Sequence, residues 1–120
     1  MANPNIAVLS SMYGITAVDA DIAATASAIV TGATDKLMKV VSLYVANIDG
    51  VNDATIDVEF YRSSVIYYIA KTVTVPADST IVIIDESHPV YIQEADSLRL
   101  KASVAGDLSA VCCYQEIDDA

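Results

Sequence analysis

The chain has 120 residues, of which 54% are apolar, with sixteen acidic against six basic side chains and a net charge of −10. That length holds one domain, and that apolar content excludes a disordered chain. The acidic balance repels phosphate backbones and anionic lipid, so neither nucleic acid nor a membrane surface is an expected partner.

The opening M-A-N-P-N-I lacks the basic start and apolar centre of a signal peptide. No run approaches the eighteen or so apolar residues of a spanning helix. A soluble protein made in the cytoplasm is expected. Ile6 to Leu9 is a short apolar run after Pro4. Residues 1–11 read as an N-terminal arm or an edge strand.

Ile15 to Val30 carries two signals. Ile22, Ala26, Ile29 and Val30 fall at helical spacing, while Thr16, Thr25, Ser27 and Thr31 alternate with small apolar residues. The pattern is read as two strands with a turn at Asp19-Ala20-Asp21, with a short helix as the alternative. T-G-A-T-D at 31–35 is a turn. Lys36 to Asn47 reads as a long strand with Leu37, Val41, Leu43 and Val45 on one face and Met38, Val40, Tyr44 and Ala46 on the other. Apolar on both sides, it is expected either to lie centrally or to turn one face toward a partner.

Asp49-Gly50 supplies the next turn. In the strand Ala54 to Tyr61, Ala54, Ile56, Val58 and Phe60 are expected inward and Thr55, Asp57, Glu59 and Tyr61 outward. Arg62-Ser63-Ser64 connects it to Val65–Val75 as a hairpin. Thr80 to Ile84, continuously apolar, reads as a central strand. Val90–Gln93, Ser97–Ala105 and Leu108–Ile117 follow, with Leu98, Leu100, Ala102 and Val104 sharing one face. Eight to nine short strands punctuated by P-A-D-S, D-E-S-H-P, E-A-D-S and A-G-D define an all-β chain: a single antiparallel β-sandwich, jelly-roll-like.

Chemistry-bearing constellations are sparse. His88 is the single histidine, in a turn beside Asp85 and Glu86, with no nucleophile-elbow motif accompanying it. Asp57/Glu59, Glu94/Asp96 and Asp118/Asp119 are carboxylate pairs, read as solvated faces and not as a glycosidase pair. Asp49 to Asp53 offers oxygens but lacks the spacing of a calcium loop. Tyr61, Tyr67 and Tyr68 suggest a sugar-stacking platform, but Tyr67 and Tyr68 point to opposite faces of a strand, so at most one joins Tyr61 outside; core filling and cross-strand pairing explain them without one. The adjacent Cys112 and Cys113 point to opposite faces of a strand, and a bond between them would be strained. No catalytic residue, metal ligand or cofactor site is assigned.

K-x-x-x-V-S-L-Y-V-A-N-I-D-G from Lys36, V-P-A-D-S-T-I-V-I-I, Y-I-Q-E-A-D-S-L-R-L-K-A-S and the closing V-C-C-Y-Q-E-I resemble small virion structural proteins of tailed phages, above all those infecting cyanobacteria. The resemblance runs from Lys36 to Ile117 and carries no catalytic motif. It implies a β-sandwich virion component without enzymatic activity. The leading expectation is a capsid decoration (cement) protein, a homotrimer that binds the major capsid protein on the outer shell. A neck, tail or fibre component and a carbohydrate-binding module using Tyr61 are the alternatives. Asn3, Asn5 and Ile6 of the arm, and Met38, Val40 and Tyr44 as outward apolar positions, are the expected interface.

Overall fold

A computed structural model describes residue 7 and residues 11–118. Asn3, Asn5, Ile6 and most of the run through Leu9 lie outside the described residues. Nine strands follow in order: β1 (Ser11–Asp19), β2 (Ser27–Thr31), β3 (Lys36–Asn47), β4 (Ala54–Arg62), β5 (Val65–Val75), β6 (Thr80–Ile84), β7 (Val90–Ile92), β8 (Ser97–Ala102) and β9 (Leu108–Asp118). No helix is present among the described residues. Residues 15–30 therefore form strands, with the β1–β2 connection at 20–26.

Two antiparallel sheets pack face to face. One has the order β1-β9-β3-β6, with β7 also on β3; the other runs β2-β8-β4-β5. All connections cross between the sheets except the β4–β5 hairpin and the β6–β7 step along one edge, the winding of a jelly roll with β7 added. Ser63 and Ser64, with φ of 52° and 63°, close the hairpin in a mirror-image turn that matches strand twist.

Inward side chains of both sheets make the core: Met38, Val40, Leu43 and Val45 from β3, Ile56 and Val58 from β4, Leu98 and Leu100 from β8, and Cys112 from β9. Ile22, in the β1–β2 connection, plugs into this core and donates its N–H to the Leu108 carbonyl at 2.9 Å. Asn47 is buried and its amide donates to the carbonyls of Asn52 and Val75, both at 2.9 Å. At Gly32 a Cβ would sit 1.9 Å from the Gln93 carbonyl oxygen, so only glycine lets the β2–β3 turn lie on the 93–96 loop.

Three expectations are corrected. In β3, the pairing with β9 skips Val41, a β-bulge between Val40 and Ser42. The extra residue reverses the alternation, so Met38 and Val40 face the core before it and Leu43 and Val45 after it. Thr80–Ile84 is an edge strand and not a central one, since among the described residues it pairs only with β3. Finally, β8 stops at Ala102, leaving Val104 exposed in the following turn and off the inward face.

Candidate assembly surface

The outer face of the β1-β9-β3-β6 sheet carries an apolar row across all four strands. Val18 pairs with Val111, Val111 with Tyr44, and Tyr44 with Val82. Each is exposed: 71% for Val18, 39% for Val111, 40% for Tyr44 and 54% for Val82. On one side the row is bordered by Thr16, Cys113 and Ser42, on the other by Ser109, Ala46 and Thr80. None of these positions is charged, on a chain of net charge −10. Two shallow depressions flank it. One of about 340 Å³ lies against Val18, Ile48 and Val111, and one of about 560 Å³ against Tyr44, Cys113 and the Asp85–Ser87 turn.

Of the expected interface residues within the described chain, Tyr44 lies on this row. Met38 and Val40, 3% and 0% exposed, are core residues and do not reach the surface, because the Val41 bulge turns them inward. Sequence alternation missed Val18, Val82 and Val111; the signal was present as apolar residues at outward positions of three strands, legible only once the register aligned them.

A second exposed surface is strand β5. Val65, Ile66, Tyr67, Tyr68 and Ile69 are all exposed on an edge that pairs, among the described residues, only with β4. Tyr67 meets Phe60 edge-on at 6.4 Å. Tyr61 and Tyr68 share the outer face, but the Arg99 guanidinium sits over the Tyr61 ring at 3.9 Å and the Lys71 ammonium over the Tyr68 ring at 4.5 Å. A cation already occupies one face of each ring.

The carboxylates are committed to structure. Glu59, 3% exposed, accepts from Arg99 Nη2 at 2.7 Å. Asp96 accepts from Arg62 Nη2 at 2.6 Å and Nε at 2.8 Å, and from the Gln93 N–H. The Arg62 guanidinium and that N–H hold the Asp96 carboxyl below the usual carboxylate range. Asp57 accepts the Thr72 N–H at 2.7 Å. In the 47–53 loop, Asp49 accepts from the N–H groups of Val51 and Asn52 and from the Asn52 amide, which lower its pKa, while Asp53 accepts from Ala77 N–H. These carboxylates serve the turn, and no cluster of three or more metal-ligating side chains occurs among the described residues.

His88 stands 89% exposed with its Nδ1 3.5 Å from Asp85. Cys112 is buried on the inner face, and burial pushes its thiol up to about 12, away from the thiolate needed for attack. Cys113 faces outward, 3.7 Å from the Thr16 hydroxyl. Both are free thiols.

No family model matches the chain, and no curated protein does. Among solved structures it is similar to a chain from Bacillus endospore appendages, described as a novel family of disulfide-linked pili. The TM-score is 0.52 at 16% identity, over 92% of this chain and 90% of that one. At that identity the likeness is one of fold.

Proposed function

We propose that this chain is a non-enzymatic structural subunit of a phage particle, a decoration protein docked on the outside of the capsid shell. The observation that carries the docking is the uncharged row Val18–Val111–Tyr44–Val82, which crosses a whole sheet face of an otherwise acidic molecule. The virion setting rests on the resemblance of Lys36 to Ile117 to small phage virion proteins. The major capsid protein is then the partner on this face, and a homotrimer the unit that binds. A subunit that binds the assembled shell and not its free components stabilises the shell by mass action. Many copies multiply contacts that are individually weak.

Particles purified from the encoding phage, digested and counted by quantitative mass spectrometry, test the placement. Hundreds of copies per particle support a shell protein, whereas absence from the particle overturns the reading. Tyr44→Asp and Val111→Asp, each outside the core, are expected to cut shell occupancy more than about tenfold, the loss typical of central contact residues.

A fibre, neck or tail subunit is the second reading. It is favoured by the likeness over 90% of a pilus chain and by the long exposed edge of β5. Copy numbers matching a single ring support it over the shell.

A further inference from the structure

The two sheets have four edges, and they are not treated alike. β2 is only five residues long. The β6–β7 edge is interrupted by the turn Asp85-Glu86-Ser87-His88-Pro89, which places two acids and a proline on it. Short length, charge and proline are the usual ways a sheet edge is kept from pairing with another chain. Among the described residues, β1 and β5 lack these devices. β1 pairs with β9 without a bulge over nine residues and carries one charge, Asp19, at its end. β5 has eleven residues and one charge, Lys71. Its bulges fall at Ile69 and at Lys71-Thr72, so Val65–Tyr68 remains a straight, uncharged, exposed segment.

The two open edges differ in charge. β1 and its neighbour β9 carry Asp19, Glu116 and Asp118 and no cation of their own, with Lys36 of β3 paired to Glu116 at 3.5 Å and to Asp118 at 3.7 Å; Asp21 lies two residues past the end of β1. The β2-β8-β4-β5 strands carry four of the six cations of the protein, Arg62, Lys71, Arg99 and Lys101, against two acids, Asp57 and Glu59. Arg62 and Lys71 bracket the straight part of β5. Pairing β5 with β5 sets cations against cations, and pairing β1 with β1 sets acids against acids. Pairing β1 with β5 brings either Arg62 or Lys71, each already paired within its own chain to Asp96 or Asp57, toward the Asp19–Asp21 end of β1 in either strand direction.

We infer that β5 of one copy adds to β1 of the next, a head-to-tail β-augmentation between identical chains. The inference rests on the reading of the chain as a docking subunit and names its partner on these edges as a second copy. Main-chain hydrogen bonds supply the affinity, and the apolar side chains of Val65–Tyr68 and of Met12, Tyr13 and Val18 add contact on the two faces. Because the two edges lie on opposite sides of the sandwich, the contact is heterologous. It closes into a ring, a trimer being one such closure, or continues as a filament.

Complementation tests it on the full chain. Val18→Lys on β1 faces the cations of an incoming β5, and Ile66→Asp on β5 faces the acids of an incoming β1; both positions are exposed, and circular dichroism checks that each variant keeps its strands. By light scattering, the unaltered chain is expected to form multi-copy species and each variant alone to run as a single copy. A mixture of the two is expected to form mixed species of at least two copies, since one variant keeps an intact β5 and the other an intact β1, and the remaining pair of edges carries opposite charges. Val104→Asp, exposed in the β8–β9 turn, is expected to assemble like the unaltered chain.

Three results each overturn the inference. They are an unaltered chain still single-copy at about 1 mM, a Val18→Lys variant that dimerises alone, and a folded mixture that stays single-copy. A single-copy chain that still occupies capsid shells refutes the edge pairing and leaves the structural reading standing. A chain that assembles through these edges but is absent from particles does the reverse.

Discussion

At the scale of single residues, the outer face of the β2-β8-β4-β5 sheet holds a charge that its position does not suggest. Glu59 points outward from β4, yet it is flanked by its cross-strand partners Arg99 and Tyr68, with Arg99 stacked on Tyr61. A carboxylate this buried is stable only while its guanidinium partner remains. Arg99→Ala is expected to cost about 3 kcal/mol in urea unfolding, much of it from the stranded Glu59 charge. The pair Glu59→Leu with Arg99→Met is expected to recover most of that loss; non-recovery would mean that Arg99 acts through packing alone. Asp96 gives a pH dependence of defined sign. Its carboxyl is held below its unfolded value by Arg62 and the Gln93 N–H, so its contribution is complete above the unfolded value of about 4. It is lost as pH falls through the lower folded value. The stability difference between the native chain and Asp96→Asn should be constant from neutral pH to about 5 and shrink below about 4. Neither ion pair is legible in the sequence, where Glu59 and Asp96 look like ordinary solvated acids; the partners lie 40 and 34 positions away.

At the scale of elements, the bulge in β3 decides which residues are core. Deleting Val41 removes the residue that reverses the alternation. Val40 and Ser42 would then be successive partners of Tyr114 and Cys113, and plain alternation would keep Met38, Val40, Leu43 and Val45 inward. The deletion is therefore expected to keep cooperative melting and to cost no more than about 3 kcal/mol, the ordinary range for a single change. Val41→Ala keeps the bulge and is expected to cost under about 1.5 kcal/mol; loss of cooperative melting in the deletion alone would show that the sheet needs the bulge itself and not only the facing it sets. Strand positions were readable because alternation and turn chemistry are local: the boundaries of Lys36–Asn47 and Val65–Val75 coincide with β3 and β5. Facing beyond a bulge was not readable, because nothing in K-V-V-S-L marks Val41 as extra until β9 is laid beside it. Edge status was lost for the same reason. Ile81–Ile84 is apolar throughout, and its outward Val82 meets Tyr44 on an open face of an edge strand where a central strand is expected from the sequence. Of the outward apolar positions named from the sequence, Tyr44 is exposed, and the row it belongs to is visible only through the registers of three strand pairs.

At the scale of the molecule, charge and apolar surface are separated in a way composition alone conceals. The strands are close to neutral in sum, and most of the −10 resides in the connections, among them Asp21, Asp35, Asp49, Asp53, Asp78, Asp85, Glu86, Glu94, Asp96 and Asp107. Turns thus carry most of the charge, and the strand faces and edges are left nearly free of it. Two copies approaching through β1 and β5 feel both terms: a long-range repulsion between two acidic molecules, and short-range attraction between Arg62 or Lys71 and the acids near β1. Exposed ion pairs are worth about 0–1 kcal/mol each and are themselves screened. The repulsion sums over all charges within reach, and at 0.15 M salt it is cut off beyond about 8 Å. The repulsive term is therefore the larger one removed by salt, and the apolar and main-chain contacts that remain are insensitive to it. Raising sodium chloride from about 0.02 M to about 0.5 M is expected to strengthen self-association measured by sedimentation. Dissolution of the assembly by salt would show that the cation–acid pairs hold the edges together and that the uncharged strand surface contributes little.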